Sequence, residues 1–107
     1  MSGGFAGRLR ERVTWLGPSA GQDALGAAGE DWTVRDTVWA AVEPEARGAL
    51  VAGEAAAALP LWRVTMRPCA IAVGDRIELA WATIDVREVR SDPRVPDRIV
   101  AIGEERR

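Results

Sequence analysis

The chain has 107 residues, 14 Lys+Arg against 16 Asp+Glu, a formal net charge of −2 and 48% hydrophobic residues. This length supports one small core and no second domain, and the mix of apolar and charged residues excludes global disorder. No apolar run approaches the roughly 20 residues that span a bilayer, and no basic stretch followed by an apolar one opens the chain, so a cytosolic protein with no membrane association is expected.

Leu9 to Leu16 reads as a first strand, with Leu9, Val13 and Trp15 on one face and Arg10, Arg12 and Thr14 on the other. Gly17-Pro18-Ser19 is expected to stop it, and the Gly/Ala-rich stretch from Gly17 to Gly29 reads as a long, mobile, exposed loop. A second strand is expected from Trp32 to Val42, with β-branched Thr33, Val34, Thr37 and Val38 around Trp39, a bend or bulge at Asp36 and a stop at Pro44. From Ala46 to Leu59 the composition turns helical, with four alanines, Ala55 to Ala58, ahead of Pro60. Leu50, Val51 and Leu59 give that helix a thin apolar stripe, and Gly48 and Gly53 each weaken it by about 1 kcal/mol relative to Ala. It should need a neighbour, or a partner subunit, to hold it.

Strands return at Leu61–Arg67, where Trp62, Val64 and Met66 alternate with Arg63, Thr65 and Arg67. Gly74-Asp75 reads as a tight turn into Arg76–Trp81, with Ile77, Leu79 and Trp81 inward. Ala82 marks a short turn, and Thr83–Arg90 runs back with Ile84 and Val86 inward and a bulge where Val89 falls out of phase. A Pro-rich loop, Ser91 to Pro96, leads to a last strand, Arg98–Ile102, and a charged tail from Gly103. The expected fold is mainly β: a small β-barrel or sandwich of about six short strands, with one weak helix inserted between the second and third. Closure removes exposed strand edges.

The missing residue types narrow the chemistry. The chain contains no His, Lys, Tyr or Asn, so every basic side chain is Arg. Without His or Lys the commonest general bases, Schiff-base formers and zinc ligands are absent, and no acids fall at a metal-binding spacing. No enzymatic activity, cofactor or metal is expected; a carboxylate-only hydrolase would need two acids converging in one pocket. Cys69, the single cysteine, reads as a buried inert thiol. Among the five tryptophans, Trp39, Trp62 and Trp81 sit at core positions, whereas Trp15 and Trp32 flank the long loop and suit an interface. Arginine and tryptophan on strands also suit a small β-barrel that binds single-stranded nucleic acid. The interleaved acids of Arg10-Glu11-Arg12, Arg87-Glu88 and Asp97-Arg98 oppose that alternative.

One combination of segments is moderately specific. Gly7-Arg8-Leu9-Arg10-Glu11-Arg12-Val13-Thr14 is followed by a variable loop, Trp32, and Thr37-Val38-Trp39-Ala40-Ala41-Val42-Glu43-Pro44. An Ala-rich stretch comes next, then Trp62-Arg63-Val64-Thr65-Met66-Arg67, Arg76-Ile77 and Ile84-Asp85-Val86-Arg87-Glu88-Val89. From about Gly7 to Ile102 this order resembles the head–tail connector proteins, the head-closure or stopper family, of long-tailed bacteriophages and phage-derived gene transfer agents. The mostly Ala helix region departs from similar sequences, which carry more aromatic and glutamine residues there.

The resemblance implies a ring, of six or twelve copies, under the portal and its adaptor. Such a ring closes the DNA channel, retains packaged DNA, lets double-stranded DNA pass and docks a tail terminator or tail tube protein. Assembly would occur in the bacterial cytoplasm, with final residence in the neck of the particle. By position, the insertion from Pro44 to Pro60 would face the channel, with Glu45, Arg47, Leu50 and Glu54 as gating candidates. The Gly17–Gly29 loop would touch a neighbour or the adaptor, and Arg10, Arg12, Trp15, Trp32, Arg63 and Arg67 are candidates for the subunit or partner interface. Arg suits that role because it keeps its charge when buried and grips a carboxylate in two places. A monomer in dilute solution, ordering on docking, is the expected free state.

Overall fold

Strand-forming segments separated by Gly and Pro punctuation yield six strands in a computed structural model that describes residues 7–19, 31–46 and 59–106. They are β1 (Glu11–Pro18), β2 (Trp32–Pro44), β3 (Leu61–Met66), β4 (Arg76–Glu78), β5 (Thr83–Arg90) and β6 (Ile99–Glu105). All neighbours are antiparallel, and the order β1-β2-β3-β6-β5-β4 closes on itself as a barrel. The expected helix falls on residues 47–58 and the core of the expected mobile loop on residues 20–30, both outside the described residues.

Period-two alternation fills the interior. Val13 and Trp15 from β1, Ala40 from β2, Val64 and Met66 from β3, Ile77 from β4, Ile84 and Val86 from β5 and Ala101 from β6 pack with Ile71 of the β3–β4 loop. Met66, Ile77 and Ile84 are fully buried, each contributing about 1.5–3 kcal/mol by transfer from water. Two register shifts bend the ladders. Between β1 and β2, Trp15 faces Asp36 and Leu16 faces Val34, leaving Arg35 as the extra residue beside the expected bulge at Asp36. Between β5 and β6, Arg87 is the extra residue, and this restores Val89 to the inward phase against Ala101.

The β3–β4 loop ends in a four-residue turn in which the Asp75 N–H donates to the Ala72 carbonyl (3.0 Å). Gly74, at φ 97°, takes the left-handed position that a type II turn requires, where L side chains are strained.

Several expectations are corrected. β1 begins at Glu11 rather than Leu9 and runs through Gly17 and Pro18, paired with Thr33 and Trp32; an edge-tolerant Pro at a strand end does not break the ladder. β2 likewise continues to Pro44. β4 stops at Glu78, because the Leu79 N–H turns back onto the Ala82 carbonyl (2.8 Å) and carries Trp81 out of the strand. Trp81 is therefore 49% exposed, and Trp39, on the outward phase of β2, is 50% exposed; neither is a core residue. Trp15 is the reverse case, since its inward phase buries it in the core rather than at an interface. Gly103 to Glu105 belong to β6, not to a tail, because β3 and β5 both extend far enough to pair with them.

Candidate functional site

The registers sort the strand ends. The start of β1, the end of β2 and the start of β3 share one end of the barrel with the end of β4, the start of β5 and the end of β6. From this end the chain departs at Ala46 and returns at Leu59. At the opposite end it departs at Ser19 and returns at Asp31. The two long connections thus leave the barrel on opposite sides.

Each point of departure is fastened. At the first end the Glu45 N–H donates to the Leu61 carbonyl (2.9 Å), the Glu105 N–H donates to the Pro60 carbonyl (2.9 Å), and Arg63 Nε donates to Glu45 Oε1 (2.9 Å). The Glu45 side chain is only 17% exposed, so this ion pair is worth more than a freely solvated one. At the other end the Ser19 N–H donates to the Asp31 carbonyl (3.3 Å), and the Ser19 and Thr33 hydroxyls share a hydrogen bond of 2.8 Å.

The five tryptophans are positioned by charge at both ends. Trp62 and Trp81 meet edge to face, ring centroids 4.9 Å apart at 68°, over the end with the Ala46 departure. Their indole N–H groups donate to Glu105 Oε1 (2.9 Å) and to Glu11 Oε2. At the other end Trp15 Nε1 donates to Asp75 Oδ2 (2.8 Å), which also accepts the Ala72 N–H (2.9 Å) and so ties the β3–β4 loop to the core. On the outer surface, Arg76 lies 4.0 Å from the Trp32 ring centroid and Arg12 lies 5.1 Å from that of Trp39. Both rings thus already carry a guanidinium, which leaves them poorly placed as open platforms for bases.

The candidate residues separate accordingly. Glu45 and Arg63 are brought together as one ion pair. Arg10 is exposed and donates to the Gly7 carbonyl (3.1 Å), while Arg12 rides on Trp39. Trp32 sits under Arg76, and Arg67, exposed just past β3, adds its charge to the Arg98 hydrogen bond that chiefly holds the Asp97 carboxyl down. Trp15 is interior, and Arg47, Leu50 and Glu54 lie outside the described residues. Arg35 was missed. Its guanidinium covers Gly17, where no side chain stands in the way, and its Nη2 donates to the Pro18 carbonyl (3.1 Å). Its place on a bulge was the readable signal.

Elsewhere the surface charges are mostly paired. Asp85 bridges Arg76 (3.3 Å) and Arg106 (3.0 Å), and Arg87 reaches Glu104 (3.2 Å). Hydrogen bonds from Arg90, Arg94 and Arg98 hold the Glu88, Asp92 and Asp97 carboxyls below the usual carboxylate range. Shallow grooves open on the surface of the described residues. One of about 330 Å³ is lined by Arg8, Arg10, Glu11, Val42 and Glu43, and one of about 700 Å³ under the β5–β6 loop by Val89, Arg90, Pro93, Val95 and Val100. Among the described residues no group of three or more Cys, Asp and Glu is placed to hold a metal ion. Cys69 is half-buried, and burial pushes its thiol up, away from the reactive thiolate.

No curated protein matches the chain. Among solved structures, the barrel is similar to the solution structure of protein SF1141 from Shigella flexneri 2a, at a TM-score of 0.58 and 22% identity over 92% of this chain and 94% of that one. That likeness concerns the fold. The family model of the phage head completion protein matches residues 6–81, from ahead of β1 through the turn that follows β4. This span is more than half of the chain and includes the closing β1–β4 seam and both fastened connections, and the chain belongs to the phage head completion protein family.

Proposed function

We propose that this chain is a non-enzymatic ring subunit of the neck of a phage-like particle, seated under the portal and its adaptor, where it closes the DNA channel, retains packaged DNA and offers the tail its docking surface. The family supports a structural role in the phage head and neck. The observation that carries the finer reading is the departure of the two long connections from opposite ends of a closed barrel. A subunit stacked between a head-side and a tail-side neighbour needs one contact on each side, and a rigid barrel keeps the two apart. In this reading residues 44–60 face the channel from a root held by Glu45–Arg63, and residues 17–29 touch the adaptor or a neighbouring copy. Among the described residues Arg10 and Arg12 have no carboxylate partner, and in this reading they supply charge to a heterologous contact, which a closed ring requires.

Electron microscopy of particles made without this protein tests the reading. Full-sized heads that lack tails and have lost their DNA are expected. Normal tailed particles that keep their DNA would overturn it.

A further inference from the structure

The longest strand is paired along only part of one side. β2 runs from Trp32 to Pro44, yet β3 pairs with it only from Ala40 onward. From Trp32 to Trp39 the side turned away from β1 meets no strand and accepts or donates no backbone hydrogen bond among the described residues. Thr33 to Thr37 are exposed, Val34 to 59%. An open edge rich in Thr, Val and Trp is a template for strand addition.

The order of side chains selects the partner. The segment reads Trp32-Thr33-Val34-Arg35-Asp36-Thr37-Val38-Trp39. Laid antiparallel against itself about the Arg35–Asp36 bond, it sets Arg35 opposite the partner's Asp36 and Asp36 opposite the partner's Arg35. Val34 then faces Thr37, Thr33 faces Val38, and Trp32 faces Trp39. The opposite charges and the tryptophans make favourable cross-strand pairs, and the Val–Thr pairs match β-branched side chains suited to a strand. Sliding by one residue puts Arg opposite Arg or Asp opposite Asp, so charge fixes the register.

Both charges have capacity to spare. Among the described residues Arg35 finds no carboxylate, and it spends Nη2 on the Pro18 carbonyl; Asp36 spends Oδ1 on the Thr37 N–H (2.8 Å) and keeps Oδ2. The bulge at Arg35 is compatible with this pairing, because a twofold axis sets bulge against bulge and leaves each pair on a common face.

We propose that Thr33–Val38 of β2 is the pairing surface for a second copy of this chain, giving a twofold antiparallel dimer of the free protein. Such a contact closes at two copies and is distinct from the head-to-tail contacts of a ring, so it stands or falls independently of the neck reading.

Light scattering of the full chain across a concentration series, with Arg35→Asp and Asp36→Arg, tests it. The wild type should show a concentration-dependent dimer, and each variant should raise the dimer dissociation constant by about tenfold or more through like-charge juxtaposition. An equimolar mixture of the two variants should recover a heterodimer, since one chain then presents two acids to two arginines, and the double exchange should recover the homodimer. Amide exchange on the wild type gives a readout free of any folding defect: protection at residues 33–38 should rise with concentration. A wild type that stays monomeric throughout, a dimer that both variants leave unchanged, or a dimer with no added protection at 33–38 would each overturn the proposal.

Discussion

Gly103 allows β5 and β6 to approach as closely as they do, and replacing it with Ala tests the packing of the barrel directly. It is buried in β6, opposite Trp62 of β3 and Val86 of β5. A Cβ at this position would collide with Ile84 Cγ2 and stand 2.5 Å from the Asp85 carbonyl oxygen. Neither neighbour can yield easily. Ile84 is fully buried, and the Asp85 backbone is held between β4 and β6 in the ladders. Inserting a methyl group into a packed core costs about 1–3 kcal/mol, and a backbone clash belongs at the upper end. The lower chain entropy of Ala in the unfolded state returns about 0.5–1 kcal/mol. A net loss of about 2 kcal/mol is expected from a total stability of about 5–15 kcal/mol. For a domain of this size it lowers Tm by about 8–16 °C. Gly74→Ala is the control: an added Cβ there meets open space, and only the φ of 97° opposes it, at about 1–2 kcal/mol. Thermal and urea melts followed by circular dichroism measure both. A Gly103→Ala melting point within about 3 °C of the wild type would refute the close approach of β5 to β6.

Met66→Ala removes a fully buried side chain and should lower stability by about 2–5 kcal/mol, read as a fall in the urea midpoint at unchanged slope. A double-mutant cycle on Trp62 and Trp81 should return a coupling of about 0.5–1.5 kcal/mol, and a coupling near zero would dissolve the edge-to-face pair. Glu88, Asp92 and Asp97 have folded pKa values below their unfolded ones, so between the two values the unfolded chain binds more protons. Their contribution is present above the ordinary carboxylate range and is lost as pH falls through the lowered values. Because these carboxylates lie at the surface, about half exposed, the effect is small, and carboxyl NMR titrations at low and high salt should show depressed values that relax with salt. The Cys69 thiol, pushed up by burial, should be alkylated more slowly at pH 8 in the native protein than in urea; equal rates would contradict its burial.

Alternation carried most of the fold into the sequence. Val64 and Met66 on β3 and Ile84 and Val86 on β5 are inward where the period of two puts them, because each strand there is flanked on both sides by partners that hold its phase. The tryptophans were less legible. Trp39 and Trp81 look like core residues by size, but one lies on the outward phase and the other is carried out by a four-residue turn that a lone Ala82 only hints at. Their anchors, Arg12 and Glu11, come from a strand far away in sequence, and no local pattern announces such a pairing. Gly103 was hidden for the same reason: its role depends on Ile84 and Asp85 of the neighbouring strand. Of the candidate site, the Glu45–Arg63 pair joins two residues that sequence reading had assigned to different tasks. They meet because the β2–β3 register sets Glu43 opposite Arg63 and leaves Glu45 two residues on, diagonal to Arg63.

The barrel has one thin seam. β1 and β2 share eight residue pairs, whereas β4 contributes three to β1 and three to β5. With so short a ladder, side chains must help to close the barrel, and they cluster at β4. Trp15 donates to Asp75 one residue before the strand, Arg76 pairs with Asp85 across one side, and the same guanidinium covers Trp32 across the other. Asp75 further takes the Ala72 N–H on its side chain, its carbonyl accepts the Val86 N–H (2.9 Å), and the Gly74 N–H donates to the Val86 carbonyl (3.0 Å). These contacts link β1, β2, β4 and β5 at the end where the chain departs toward residues 20–30, while the Trp62–Trp81 pair and its two carboxylates close the end where it departs toward residues 47–58. Each connection therefore springs from a part of the barrel stiffened by indole and carboxylate. A neighbour that pulls on either connection would load these contacts before it reaches the apolar core, which is the mechanical arrangement that the proposed seat between a head-side and a tail-side partner would require.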